Sequence, residues 1–257
     1  MGGNSMRKQR QTERNWQPPN IETLTQRQDT YLGLLNKHDC TIAAGPAGTG
    51  KTYVACAWAG SQLKARVFSQ LVLVRPNEGV GKSLGMLPGN LDKKLDPWAR
   101  PLVEAIKSQM GSERFNKAKE AGEIKIEALE HIRGLTFDNS VMIIDEAQNT
   151  SPKEMKAFLT RVGRNSSIII TGDESQSDIH AVHNGLAWAM RAVDRGLVPD
   201  VGRVHFTYDD VVRSELCKQW GMAFEALEQE QREEREYRVK APEYRGSLNT
   251  LRSGQLV

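Results

Sequence analysis

The stretch "TIAAGPAGTGKTYVACAWAG", residues 41–60, runs from a short apolar segment through a glycine-studded turn into an alanine-rich helical pattern. The turn fits G-x-x-x-x-G-K-[ST] as Gly45, Gly50, Lys51 and Thr52, with the strand before it and the helix after it that a phosphate loop requires. In such a loop the backbone N–H groups from Ala47 to Thr52 point at phosphate oxygens. The following helix presents its positive end there, and Lys51 adds a point charge. Gly45, Pro46, Ala47, Gly48, Thr49, Gly50, Lys51, Thr52 and Tyr53 are therefore the expected nucleotide-binding segment, with the Thr52 hydroxyl on a Mg²⁺ ion. The ligand implied is a nucleoside triphosphate. What becomes of its terminal phosphate is decided elsewhere in the chain.

Outward from this turn, short β-rich runs recur at 40–44 (CTIAA), 70–75 (QLVLVR), 123–128 (EIKIEA), 140–144 (SVMII), 167–171 (SIIIT) and 203–207 (RVHFT), separated by helical stretches. Several are apolar almost throughout, which is what strands covered on both faces need. The expected fold is α/β, a mostly parallel central sheet between two helical layers. Residues 1–20 read as a flexible basic arm ending in Pro18-Pro19, residues 21–225 as the catalytic domain, and residues 226–257 as a charged helix followed by a polar tail. Met155, Phe158 and Leu159 stand at helical spacing and read as core.

Two further strand ends carry chemistry. "VMIIDEAQN", residues 141–149, delivers Asp145 to the sheet edge, the position from which a phosphate-loop protein completes its Mg²⁺ shell. The adjacent Glu146 places a second carboxylate where a water can be oriented and polarised. That is a requirement of hydrolysis rather than of transfer to a metabolite. "IIITGDESQSDI", residues 168–179, ends a third strand at Gly172-Asp173, and Gln176 is placed to reach the γ-phosphate region. His180 and His183 have no third metal ligand and read as polar turn residues.

"GPAGTGKT", "DEAQN" and "TGD" with Gln176, together with "LVRP", "LGMLPGNLDKKLDPWARPL", "MKAFLTRVG" and "DVVRSELC", resemble the PhoH-like ATPases, relatives of superfamily 1 helicases, over residues 22–222. The resemblance implies a RecA-like P-loop NTPase core that binds and hydrolyses ATP with Mg²⁺. It also implies an adenine-reading role for Gln28. Helicases of that superfamily cleave ATP between two RecA-like halves, and this chain has room for one. The resemblance thus implies that an arginine comes from a neighbouring subunit of a homo-oligomer, by analogy a hexameric ring. Arg213 in "DDVVRSEL" is the expected donor and Arg75 the runner-up.

Bulk properties narrow the classes. A chain of 257 residues, 39% hydrophobic, can bury one good core rather than two nucleotide-binding domains. A net charge of +3 gives no general affinity for polyanions, so contact with single-stranded RNA or DNA must come from local patches. The Gly- and Pro-rich stretch 76–100 reads as a loop that in a ring would line the pore, where Lys82, Lys93, Lys94 and Arg100, with Trp98 as a stacking surface, would meet nucleic-acid phosphates, offset by Glu78, Asp92 and Asp96, or as a plain structural loop; Arg7, Lys8, Arg10 and Arg14 of the arm read as a solvated tail. The three cysteines are far apart and read as small core residues of a reducing compartment. No apolar run approaches a membrane span, and the expected location is cytoplasmic. The leading expectation is an ATPase coupled to RNA or DNA. The alternatives are a nucleotide-gated assembly module with slow hydrolysis and, more weakly, a small-molecule kinase.

Overall fold

Six strands, β1 Cys40–Ala44, β2 Gln70–Arg75, β3 Ile124–Ala128, β4 Ser140–Ile144, β5 Ser167–Gly172 and β6 Val201–His205, form one sheet in the order β3-β2-β4-β5-β1-β6. All five pairings are parallel. The structure, a computed structural model, describes residues 21–76, 91–174 and 184–240. Because successive side chains of a strand point to opposite faces, each run of apolar residues divides between two cores. Leu71, Leu73, Val141, Ile143 and Ile169 enter one cluster, while Val72, Val74, Met142, Ile144, Ile168 and Ile170 enter the other. This double burial is why the strands carry no polar alternation.

The first cluster is covered by α1 (Gln26–Lys37), α2 (Lys51–Lys64), α3 (Leu91–Met110) and α4 (Ser112–Glu120). The second is covered by α5 (Pro152–Leu159) and α6 (Gly185–Asp194), through Met155, Phe158, Leu186 and Ala189. The expected three-layer α/β arrangement is the one found. Local signals start the helices where they begin. Ser151 and Glu154 make a reciprocal capping box ahead of Pro152, and the side chains of Thr25 and Asn184 cap α1 and α6.

The differences from expectation have local causes. β6 occupies Val201–His205, two residues earlier than the sequence pattern, because Thr207 and Asp210 form a second reciprocal cap that turns the chain. Helix α3 starts at Leu91, inside a stretch whose Gly and Pro content reads as loop, since Leu91, Leu95, Trp98, Leu102 and Ile106 follow the helical period. Cys56 is buried, Cys40 is partly buried, and Cys217 is exposed rather than a core residue.

The chain divides into two compact units, Met1–Arg213 and Ser214–Val257, so the break precedes the last helix. Of the second unit the structure describes α7 (Glu215–Lys240), on which Leu216, Trp220, Phe224 and Leu227 are all more than half exposed. Among the described residues no helix is long and apolar enough to cross a membrane.

Phe158 is fully buried, so Phe158→Ala should cost about 3–5 kcal/mol in urea unfolding, against less than about 0.5 kcal/mol for the exposed Leu216→Ala. Burial, with the charge of Asp39, pushes the Cys40 thiol up to about 11. At pH 8 its thiolate is populated to roughly 10⁻³, so iodoacetamide should label Cys217 first, with Cys40 and Cys56 labelled only after unfolding, as read by mass spectrometry.

Candidate active site

A parallel sheet gathers the carboxyl ends of all its strands on one edge, and the strand order places β5 between β1 and β4. That edge holds a cavity of about 530 Å³, within the ordinary range for small-molecule sites, lined by residues that follow several different elements. The phosphate loop after β1 contributes Ala47, Gly48, Gly50, Lys51, Thr52 and Tyr53; β2 contributes Arg75, β4 Asp145 and Glu146, and β5 Gly172 and Asp173. Pro101 and Leu102 of α3 and Val212-Arg213 close it.

The loop can wrap this tightly because Gly45, Gly48 and Gly50 all hold positive φ. At Gly45 (φ +131°) a Cβ would lie 2.3 Å from the carbonyl oxygen of Phe206, and at Gly50 (φ +82°) it would lie 2.5 Å from Gln28 Nε2. Gly45 N–H donates to Gly172 O at 3.2 Å, which ties the start of the loop to the end of β5. Lys51 Nζ donates to Gly45 O at 2.6 Å and Pro46 O at 2.7 Å, holding the loop closed around its own ammonium. Burial lowers the affinity of Lys51 for its proton, and the charges of Asp173, Glu146 and Asp145 oppose that shift.

Thr52 and Asp145, the two residues expected at the metal, are brought together. Thr52 Oγ1 donates to Asp145 Oδ1 at 2.8 Å, and Thr171 Oγ1 donates to the same oxygen at 2.6 Å. Asp145 is only 4% exposed, so two hydroxyls fix a buried carboxylate at the foot of α2. Such a pair of hard oxygen ligands, completed by phosphate and water, fits Mg²⁺, which takes few protein ligands and shares the rest with its substrate. Thr171 was missed in the sequence, although it directly precedes the "GD" that drew attention.

Glu146 lies beyond Asp145 with φ 54° and ψ 41°, a left-handed conformation unusual for a glutamate. Its carboxylate is held on both sides: Gln148 Nε2 donates to Oε2 at 2.7 Å, and Arg75 Nη2 lies 3.8 Å from Oε1. Gln148 is itself buried, and its Oε1 accepts from Asp173 N–H at 2.9 Å. The carboxylate expected to orient water is thus positioned by groups following β2 and β5, a network that sequence spacing does not reveal.

Arg213, the arginine expected at a neighbour's site, also stands at its own chain's cavity: its Cδ and Nε lie 3.0 Å from the Cβ position of Gly48, and Val212 N–H donates to Gly48 O at 3.0 Å. Arg75, the runner-up, also lines the cavity of its own chain. Gln28 sits behind the loop, buried, with Nε2 donating to Thr49 O at 2.9 Å and Oε1 accepting from Leu24 N–H at 2.8 Å. In this conformation it braces the phosphate loop. An adenine contact would have to use its second N–H and second lone pair. Gln176, His180, His183 and Lys82 lie outside the described residues, as do the side chains of Lys93, Lys94 and Trp98 and the whole basic arm.

Compared with known proteins, residues 20–225 match the family model described as PhoH-like protein. The PhoH-like protein of Bacillus subtilis is 41% identical over 197 residues, 76% of this chain and 60% of that protein. The PhoH-like protein of Synechocystis is 39% identical over 212 residues, 81% and 63% respectively, and the protein PhoH of Escherichia coli K12 is 35% identical over 191 residues, 73% and 53%. The chain therefore spans a little over half to about three-fifths of the length of these relatives. Among solved structures, the large terminase of a thermophilic bacteriophage aligns at 13% identity and TM-score 0.47 over 76% of this chain and 48% of its own. The UvsW helicase of bacteriophage T4 aligns at 10% and 0.45, over 78% and 67%.

Because the Gly45 Cβ position falls on backbone, Gly45→Ala must displace either the phosphate loop or the segment after β6. Isothermal titration should find nucleotide binding weakened at least about tenfold, with less than about 2 kcal/mol lost in urea unfolding, because the strain is local to the loop.

Proposed function

The chain belongs to the PhoH-like family, and we propose that it is an ATPase, hydrolysing Mg²⁺-ATP in the cavity at the carboxyl edge of its sheet. The observation that carries this reading is the placement, in one cavity, of the phosphate loop, the Thr52–Asp145 pair and a separately positioned Glu146. In this reading the loop N–H groups and Lys51 bind the β- and γ-phosphates, and Lys51 exchanges its two carbonyl partners for phosphate oxygens. Thr52 and Asp145 would hold the Mg²⁺, which when bound would neutralise phosphate charge. Glu146 accepts a proton from the attacking water, and Gln148 fixes the carboxylate for that task. Arg213, beside Gly48, stabilises charge on the departing phosphoryl group from within the same chain. Gln176 follows the Gly172-Asp173 end of β5 and acts as the γ-phosphate contact, and Gln28 braces the loop beside the adenine.

Coupling to single-stranded RNA or DNA is the finer part of the proposal. It rests on the resemblance to helicase relatives and on one described surface: Trp188, half exposed, stands at i, i+3 and i+7 with Arg191 and Arg195, both exposed, at the end of α6, combining a stacking surface with phosphate-binding cations. The location that fits is the cytoplasm. In this reading the guanidinium group comes from the same chain, and a hexameric ring is not required for it. The second reading, a nucleotide-gated module with slow turnover, is favoured by the hold that Arg75 has on Glu146.

In phosphate-release and nucleotide-binding assays, Lys51→Ala should abolish binding. Glu146→Gln should retain nucleotide binding and lose roughly 10²–10⁴-fold in turnover. Arg213→Ala should lose on the order of 10³-fold and regain nothing when mixed with Glu146→Gln chains, since each chain holds its own arginine. Full turnover in Glu146→Gln would remove the assigned role, and recovery on mixing would restore a site shared between subunits. Turnover that rises with single-stranded RNA or DNA distinguishes the coupled enzyme from the gated module.

A further inference from the structure

Arg75 ends β2, and the register that pairs Val74 with Ile144 sets it beside the Asp145-Glu146 turn. Its side chain is 16% exposed, lines the nucleotide cavity, and faces Glu146 Oε1 at 3.8 Å, too long for a hydrogen bond and within ion-pair distance. The other carboxylate oxygen belongs to Gln148, whose amide is anchored on Asp173 N–H. Glu146 therefore keeps its orientation through Gln148 whether or not Arg75 stays beside it. A phosphate with two charges entering this cavity is a stronger partner for a guanidinium than one carboxylate, and offers it a bidentate geometry.

We propose that Arg75 is the residue that discriminates triphosphate from diphosphate: it transfers from Glu146 to the γ-phosphate when a triphosphate binds, leaving Glu146 held by Gln148 and free of the opposing cation. A diphosphate does not reach Arg75 and leaves the Arg75–Glu146 pair in place. The proposal rests on the cavity being a nucleoside triphosphate site, and goes beyond it in assigning Arg75 to its own chain's γ-phosphate and in making Glu146 its competitor.

The competition has a sign that a structural role lacks. By equilibrium binding of ADP and of the non-hydrolysable triphosphate AMP-PNP, each with Mg²⁺, to the full chain, Arg75→Ala should weaken AMP-PNP about tenfold and leave ADP within about twofold. Arg75→Lys should recover part of the loss. Glu146→Gln should tighten AMP-PNP, and that tightening should shrink at least about threefold in the Arg75→Ala background, because there is no longer an arginine to release. Unchanged ADP binding by each variant serves as its folding control. Equal tightening in both backgrounds, or equal weakening of ADP and AMP-PNP by Arg75→Ala, would overturn the proposal. Failure of the wild-type chain to bind either nucleotide would instead overturn the assignment of the cavity.

Discussion

Two threonine hydroxyls, those of Thr52 and Thr171, donate to the same oxygen of Asp145, and the arrangement of the site depends on that meeting point. Thr52 belongs to the phosphate loop and the first turn of α2, Asp145 follows β4, and Thr171 lies on β5 between them. The three elements are far apart in sequence, and only a parallel sheet brings their carboxyl ends to one edge in this order. The apolar strands that satisfy two cores therefore also determine where the acid stands. A shift of one residue in the β4–β5 register would turn Thr171 away from Asp145 and would exchange the faces on which Met142, Ile143 and Ile144 meet Ile168, Ile169 and Ile170, so packing defends the chemistry.

The charges of the cavity balance in an instructive way. Lys51, Arg75 and Arg213 face Asp145, Glu146 and Asp173, three cations and three anions in one chain. Every cation has a protein group close by: Lys51 has its loop carbonyls, Arg75 has Glu146, and Arg213 lies against Gly48. In the proposed reading a triphosphate with its metal draws on all three. Glu146 holds a left-handed backbone, a conformation that costs on the order of 1–3 kcal/mol and persists where the surroundings enforce it. Here Asp145 N–H on Val74 O and the Gln148 bridge to Asp173 supply the enforcement, so the strain lies at the residue to which the proposed reaction assigns proton transfer.

The sequence made the fold legible because the strands are buried on both faces: a run such as "SVMII" has one sensible place in a layered α/β protein, and β4 and β1 occupy the residues expected. The phosphate loop, Asp145 and Glu146 were legible for the same reason, each lying directly after such a run. Partnership across the sheet was not. Nothing in the spacing of residues 75, 146, 148 and 173 shows that they form one network, since their proximity is made by strand order. That Arg213 stands at its own chain's cavity was not legible either, since the analogy with two-domain helicases directs attention to a neighbour. The backbone bond from Val212 to Gly48 that keeps it at home has no signature in the sequence. Similarly, the glycines and prolines of residues 76–90 extended the apparent loop into the first turns of α3.

The central claim is a hydrolytic site complete in one chain, and dilution tests it most directly. Steady-state phosphate release per chain from Mg²⁺-ATP, measured from the micromolar to the nanomolar range alongside the mass of the species in solution, should require Mg²⁺ and stay constant as any oligomer dissociates. Specific activity that collapses as the protein becomes monomeric would show that a second subunit completes the site, and no release above the Glu146→Gln background would show that the cavity binds nucleotide without cleaving it.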